Sequence, residues 1–148
     1  MPDFDEDQSL YEHNTSITGG AIKCDGCTMT IDDAIFQFNY ANQGGTFLFD
    51  NDATATIDTT DITDSNSYGD GGAIAAIKTT LDVIGNTEIK IQNCDNLRDC
   101  ASEAGAGGFM YLANKYIQVT YENVEVSYMY AQDTTSGQGG VISMTDAD

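Results

Sequence analysis

Gly71-Gly72-Ala73-Ile74-Ala75-Ala76 is one of five places where a glycine doublet runs straight into an apolar stretch. The others are Gly19-Gly20-Ala21-Ile22-Lys23-Cys24, Gly44-Gly45-Thr46-Phe47-Leu48-Phe49, Gly107-Gly108-Phe109-Met110-Tyr111-Leu112 and Gly139-Gly140-Val141-Ile142-Ser143-Met144. Successive doublets begin 25, 27, 36 and 32 residues apart, a spacing at which self-similarity signals a solenoid, propeller or array. The second and fourth residues after each doublet form two apolar registers, Ile22, Phe47, Ile74, Met110, Ile142 and Cys24, Phe49, Ala76, Leu112, Met144. Alternation that survives in every copy is what a strand with one buried face requires. The doublet itself supplies a turn at which positive φ or a close backbone approach excludes a Cβ.

The segment from Gly19 to Gln43 is the most regular repeat, with strands expected through Cys24, around Thr28 to Ile31 and at Ala34 to Phe38. Later repeats supply matching candidates at Ile57 and Ile62, at Val83, Ile84, Ile89 and Ile91, and at Ile117, Val119, Val124 and Val126. The stretch Cys94 to Ala106 reads as a loop insertion. The expectation is an all-β parallel β-helix of about five turns with three short strands per turn. Residues 1–18 form an acidic lead-in and a first partial turn, and residues 19–148 the repeats.

Composition agrees with strands and tight turns. The 148 residues are 41% hydrophobic, with one proline, no tryptophan and many glycines and threonines. Twenty-four acidic residues against five basic ones give a net charge of −19, which repels a phosphate backbone and argues against nucleic acid as a partner. No segment approaches the length of a membrane span, and the amino terminus lacks the basic start and apolar run of a secretory signal. The last repeat stops at Thr145-Asp146-Ala147-Asp148 without a capping element, so the chain is expected to be a piece of a longer secreted protein.

Gly71-Gly72-Ala73-Ile74 and Gly19-Gly20-Ala21-Ile22 match a GGAI tetrapeptide, and Phe36-Gln37-Phe38-Asn39 matches an F-x-x-N tetrapeptide. On these motifs the chain resembles the polymorphic membrane protein family of repeat-bearing surface proteins. Asn14 and Asn66 stand five residues before their doublets, as Asn39 does, but without the phenylalanine. The resemblance implies a right-handed β-helix in an extracellular adhesin or surface-structure protein, and it brings no catalytic residues.

The cysteines fall in two close pairs, Cys24 with Cys27 and Cys94 with Cys100. Their spacings do not suit zinc, and no βαβ pattern supports a redox motif. Two local disulfides, or a bridge between neighbouring coils, suit a secreted chain, with Cys94–Cys100 the easier local pair because Cys24 and Cys27 are tightly spaced. Asn14-Thr15-Ser16 fits a glycosylation sequon. Asp50, Asp52, Asp58 and Asp61 fall at calcium-loop intervals, although Ala55 stands where the loop wants glycine, and an acidic outer turn reads equally well.

The alternate register of the doublet strands carries Leu48, Phe109, Tyr111 and Val141, which on an outward face would form an apolar interface for a protein partner or a second copy. A polysaccharide-active enzyme would need clustered carboxylates beside a cation. The chain offers Asp32-Asp33 and Asp61 with Asp64, and only His13, Arg98 and lysines 23, 78, 90 and 115. The reading is therefore a non-catalytic, extracellular or cell-surface structural or adhesive β-helix, acting through lateral or end-to-end protein contacts, with glycan as a further candidate partner. A polysaccharide lyase or hydrolase and a calcium-dependent binding module are the alternatives.

Overall fold

The structure, a computed structural model, describes residues 9–77, 87–94, 96–113, 117–131 and 140–145. The first coil holds β1 (Ser9–Glu12), β2 (Thr15–Thr18), β3 (Ile22–Asp25) and β4 (Thr28–Asp32). The second holds β5 (Ala34–Gln37), β6 (Tyr40–Gln43), β7 (Phe47–Asp50) and β8 (Thr54–Asp58). The third holds β9 (Asp61–Thr63), β10 (Asn66–Ser67), β11 (Ile74–Ile77) and β12 (Thr87–Gln92), and the fourth β13 (Leu97–Arg98), β14 (Ala101–Ser102), β15 (Met110–Ala113) and β16 (Ile117–Glu122). Above them lie β17 (Val126–Ser127), β18 (Tyr130–Ala131) and β19 (Ile142–Thr145).

Every strand pairs in parallel with the strand four places along the chain, which makes four sheets and a parallel β-helix. Each coil therefore has four sides, where the sequence suggested three. The side that escaped notice is the β2–β6–β10–β14–β18 sheet. It includes strands of only two residues, and its buried positions are small, Ala41, Ser67 and Ser102, so no run of large apolar residues announces it. The supposed loop from Cys94 to Ala106 contains two of the short strands, β13 and β14. Val83, Ile84, Lys78, Lys115, Gly139 and the acidic residues 1–8 lie outside the described residues.

The interior is a set of stacked columns. Ile22, Phe47, Ile74, Met110 and Ile142 are successive register partners, as are Cys24, Phe49, Ala76, Leu112 and Met144. From the facing sheets come Phe36, Ile62 and Leu97, and Ile57 and Ile91, all 0% exposed. Phe47 anchors the middle, with its ring edge-on to Phe36 at 4.6 Å and stacked near Phe49 at 5.8 Å.

The corners follow from backbone geometry. One carries left-handed glycines, Gly19, Gly44, Gly71 and Gly107, with φ between 58° and 72°. A Cβ on any of these would overlap the carbonyl oxygen three residues on, and a Cβ on Gly20, Gly45 or Gly72 would overlap a glycine carbonyl of the next coil. The doublet thus answers two separate steric demands, one within the turn and one between coils. Two further corners use left-handed residues of other types: His13, Phe38, Asp64, Asp99 and Tyr128 in one, and Asp33, Thr59, Asn93 and Asn123 in the other.

The F-x-x-N motif is explained at the first of these two. Phe36 fills the core, while the buried Asn39 donates from Nδ2 to the Tyr11 carbonyl at 3.0 Å and accepts from the Asn14 backbone N–H at 3.1 Å. Asn66 does not repeat this role, because its register partner is Tyr40.

Candidate functional site

The four residues expected to form an outward apolar interface do not form one. Phe109 is buried and belongs to the core. It precedes β15, in the bend that follows the doublet, where the N–H groups of Phe109 and Met110 both donate to the Val141 carbonyl, as those of Ala73 and Ile74 both donate to the Phe109 carbonyl. The alternation on which the expectation rested holds within a strand, and Phe109 lies one residue before β15 begins. Leu48 does lie in the outer register, but it is 1% exposed and its neighbour Ala75 is 0% exposed, covered by other parts of the same chain. Tyr111 is half-buried, and only Val141 is exposed.

The calcium set is also taken apart by the fold. Asp50 and Asp52 precede β8, whereas Asp58 ends it and Asp61 follows, so the length of a five-residue strand, about 16 Å, separates the pairs, against ligand distances of about 2.4 Å. Asp58 is instead hydrogen-bonded by Asn93 at 2.9 Å and by Gln92, and these bonds hold its carboxyl below the usual range. Asp61 accepts from Asn96 at 2.9 Å. Among the described residues no group of three or more His, Cys, Asp or Glu side chains is placed to hold a metal ion.

Cys24 and Cys27 are disulfide-bonded across the corner between β3 and β4, with Cα atoms 5.4 Å apart. Cys94 and Cys100 are buried thiols, not a disulfide. They occupy successive corners at opposite ends of the side that carries β13, roughly 20 Å apart along an extended chain, far beyond disulfide reach. Burial pushes the Cys100 thiol from 9.0 up to about 12. A raised thiol value means that its contribution to stability is complete below pH 9.0 and is lost as pH climbs towards about 12. Titration with a chromogenic disulfide at neutral pH is expected to find no reactive thiol in the native protein, two after unfolding without reductant, and four after unfolding with it. Rapid labelling of the native protein would contradict this placement.

Asn14, the sequon asparagine, is half-buried, and its Nδ2 donates to Asn39 Oδ1 at 3.0 Å. The nitrogen that would carry a glycan is thus engaged in the corner ladder. Of the cations proposed for catalysis, Arg98 pairs with Asp99 at 3.0 Å and Lys90 with Glu122 at 3.2 Å, while His13 stacks on Phe38 at 5.2 Å.

Two features remain as candidate surfaces. The first is the pair of end coils. β1 to β4 are the edge strands at one end, and β16 to β19 those at the other. Tyr11 in the first coil and Met144 in the last are 42% and 56% exposed, whereas their register partners one coil inward, Phe36 and Leu112, are buried. A recess of about 220 Å³ opens between Tyr11, Ile22, Met29, Ile31 and Phe36 at the first coil. The second feature is a groove of about 300 Å³ on the outside of the β4–β8–β12–β16 sheet. End-to-end contacts were expected from the sequence, but the groove was not legible there, since it depends on which coil lies above which.

Among the described residues no helix is long and apolar enough to cross a membrane. No family model matches the chain. No solved structure matches it. Among curated proteins, the metabotropic glutamate receptor-like protein Q of Dictyostelium discoideum is 33% identical over 74 residues, which make up 50% of this chain and 6% of that protein. The matched stretch is thus a small part of a much longer relative.

Proposed function

We propose that this chain is a non-catalytic structural or adhesive segment of an extracellular or cell-surface protein, which assembles through the exposed sheet edges of its end coils. The observation that carries the reading is the contrast between coils. Side chains in the apolar columns are buried in the middle and exposed at the ends, at Tyr11, Ile142 and Met144. Edge strands present unpaired backbone groups, and a second copy seated on them would continue the sheets in parallel while covering those side chains. The disulfide at the first coil suits an oxidising compartment. Likeness to part of a receptor-like protein is in keeping with a surface location. The resemblance of the GGAI and F-x-x-N motifs to those of surface adhesins points the same way.

Sedimentation velocity across a wide concentration range tests this directly. The wild-type chain is expected to form species larger than a monomer, and the combined Ile17→Asp and Met144→Asp variant to stay monomeric and folded. A wild-type chain that sediments as a monomer at every concentration ends the reading.

A further inference from the structure

We infer that the groove outside the β4–β8–β12–β16 sheet binds a neutral polysaccharide laid along the helix axis. Its walls are two rows of outward side chains brought together only by the coil register. Thr54, Glu88 and Gln118 are successive partners in one row, and Thr56, Lys90 and Thr120 in the other. The backbone between them, at Ala55 and Ile89, forms the floor, since those two side chains are buried in the core. Thr28 and Thr30 of β4 prolong the same two rows by one coil, and both are exposed.

The chemistry of the rows selects the ligand class. Threonine hydroxyls and the Gln118 amide each both donate and accept, Glu88 accepts, and Lys90 donates, a mixture that matches a ligand covered in hydroxyl groups. Lys90 is already neutralised by Glu122 at 3.2 Å, and the chain as a whole carries a charge of −19. An acidic polymer would therefore be repelled, and a neutral one would not. Coils repeat every ~4.8 Å, close to the length of one pyranose residue, so consecutive sugars of a chain lying along the axis would meet equivalent groups on consecutive coils. Among the described residues no aromatic ring lines the groove, and what they offer each sugar is hydrogen bonds. Affinity must then accumulate along the chain and rise steeply with oligosaccharide length.

The test is calorimetric titration of the full chain with cellohexaose, laminarihexaose, the matching disaccharides and a hexameric oligogalacturonate. Saturable binding of at least one neutral hexasaccharide is expected, weaker by roughly tenfold or more for its disaccharide. The Glu88→Ala, Gln118→Ala double variant, altered only at exposed positions, should keep the wild-type circular dichroism spectrum and lose at least about tenfold in affinity. Absence of binding by both neutral hexasaccharides overturns the proposal, as does undiminished binding by the folded double variant. Preference for the oligogalacturonate overturns the assignment of a neutral ligand. The groove lies on a sheet face and not at the end edges, so the monomeric Ile17→Asp, Met144→Asp variant should bind as wild type does, and failure here leaves the assembly reading standing.

Discussion

Gly72→Ala is expected to prevent stable folding, whereas Gly26→Ala is expected to cost about 1 kcal/mol. A Cβ on Gly72 would overlap the Gly108 carbonyl oxygen of the next coil and come within 2.7 Å of the Ala101 carbonyl carbon and 2.8 Å of its nitrogen. All three atoms are backbone, and the coils are held at their spacing by bonds such as Gly72 N–H to the Gly107 carbonyl at 3.0 Å, so nothing there can give way cheaply. Overpacking of this kind exceeds the usual ~1–3 kcal/mol because backbone and not a side-chain tip must move, and the whole domain has only ~5–15 kcal/mol to lose. Gly26 is also left-handed, at φ 60°, but its added Cβ would meet only the Asn51 carbonyl oxygen, at 3.2 Å. Asn51 itself turns the matching corner of the second coil with φ 47°, so a side chain is already accommodated at that kind of position. Urea melts followed by circular dichroism distinguish the two variants. A Gly72→Ala protein that melts with the wild type would refute the inter-coil role of the second glycine.

Phe47→Ala is expected to destabilise the chain by about 3–5 kcal/mol, and Met144→Ala by a small fraction of that. Both belong to the sheet of the doublet strands and both point to the apolar interior side. Phe47 is 0% exposed between its register partners Ile22 and Ile74, with Phe36 and Phe49 against its ring, whereas Met144 is 56% exposed on the last strand. Removing the ring of Phe47 leaves a cavity that parallel ladders on both sides prevent from closing. Trimming Met144 removes little that was out of water. The cost of truncation should therefore fall from the middle coils to the ends, as expected when each coil is stabilised mainly by its neighbours. Equal effects from chemical denaturation of the two variants would mean that the stack is not organised this way.

Legibility in the sequence tracked how many physical demands converged on one residue type. The glycine doublets were readable because no other residue meets both the left-handed turn and the close approach of the next coil. Their strands were readable because Phe47, Ile74 and Met110 repeat an apolar register. The corner that carries His13, Phe38, Asp64, Asp99 and Tyr128 was not readable, since the shared conformation leaves residue type open. Phe109 was assigned to the wrong face because alternation was counted from the doublet, whereas the strand begins only at Met110. Thr54 and Glu88 give no hint that they stand side by side, because the number of residues between them is set by an insertion and their adjacency by the ladder.

Local steric and hydrophobic rules, carried by the amino-acid order alone, determined that this protein winds as a parallel stack with a glycine-gated side and an apolar interior. Pairing between coils decided the rest: the fourth side, the separation of Cys94 from Cys100 and of Asp50 from Asp58, the burial of Leu48, and the rows of the outer groove. Those features depend on which residues of different coils come to lie one above another, and that relation is set by long-range backbone hydrogen bonds that no local pattern encodes.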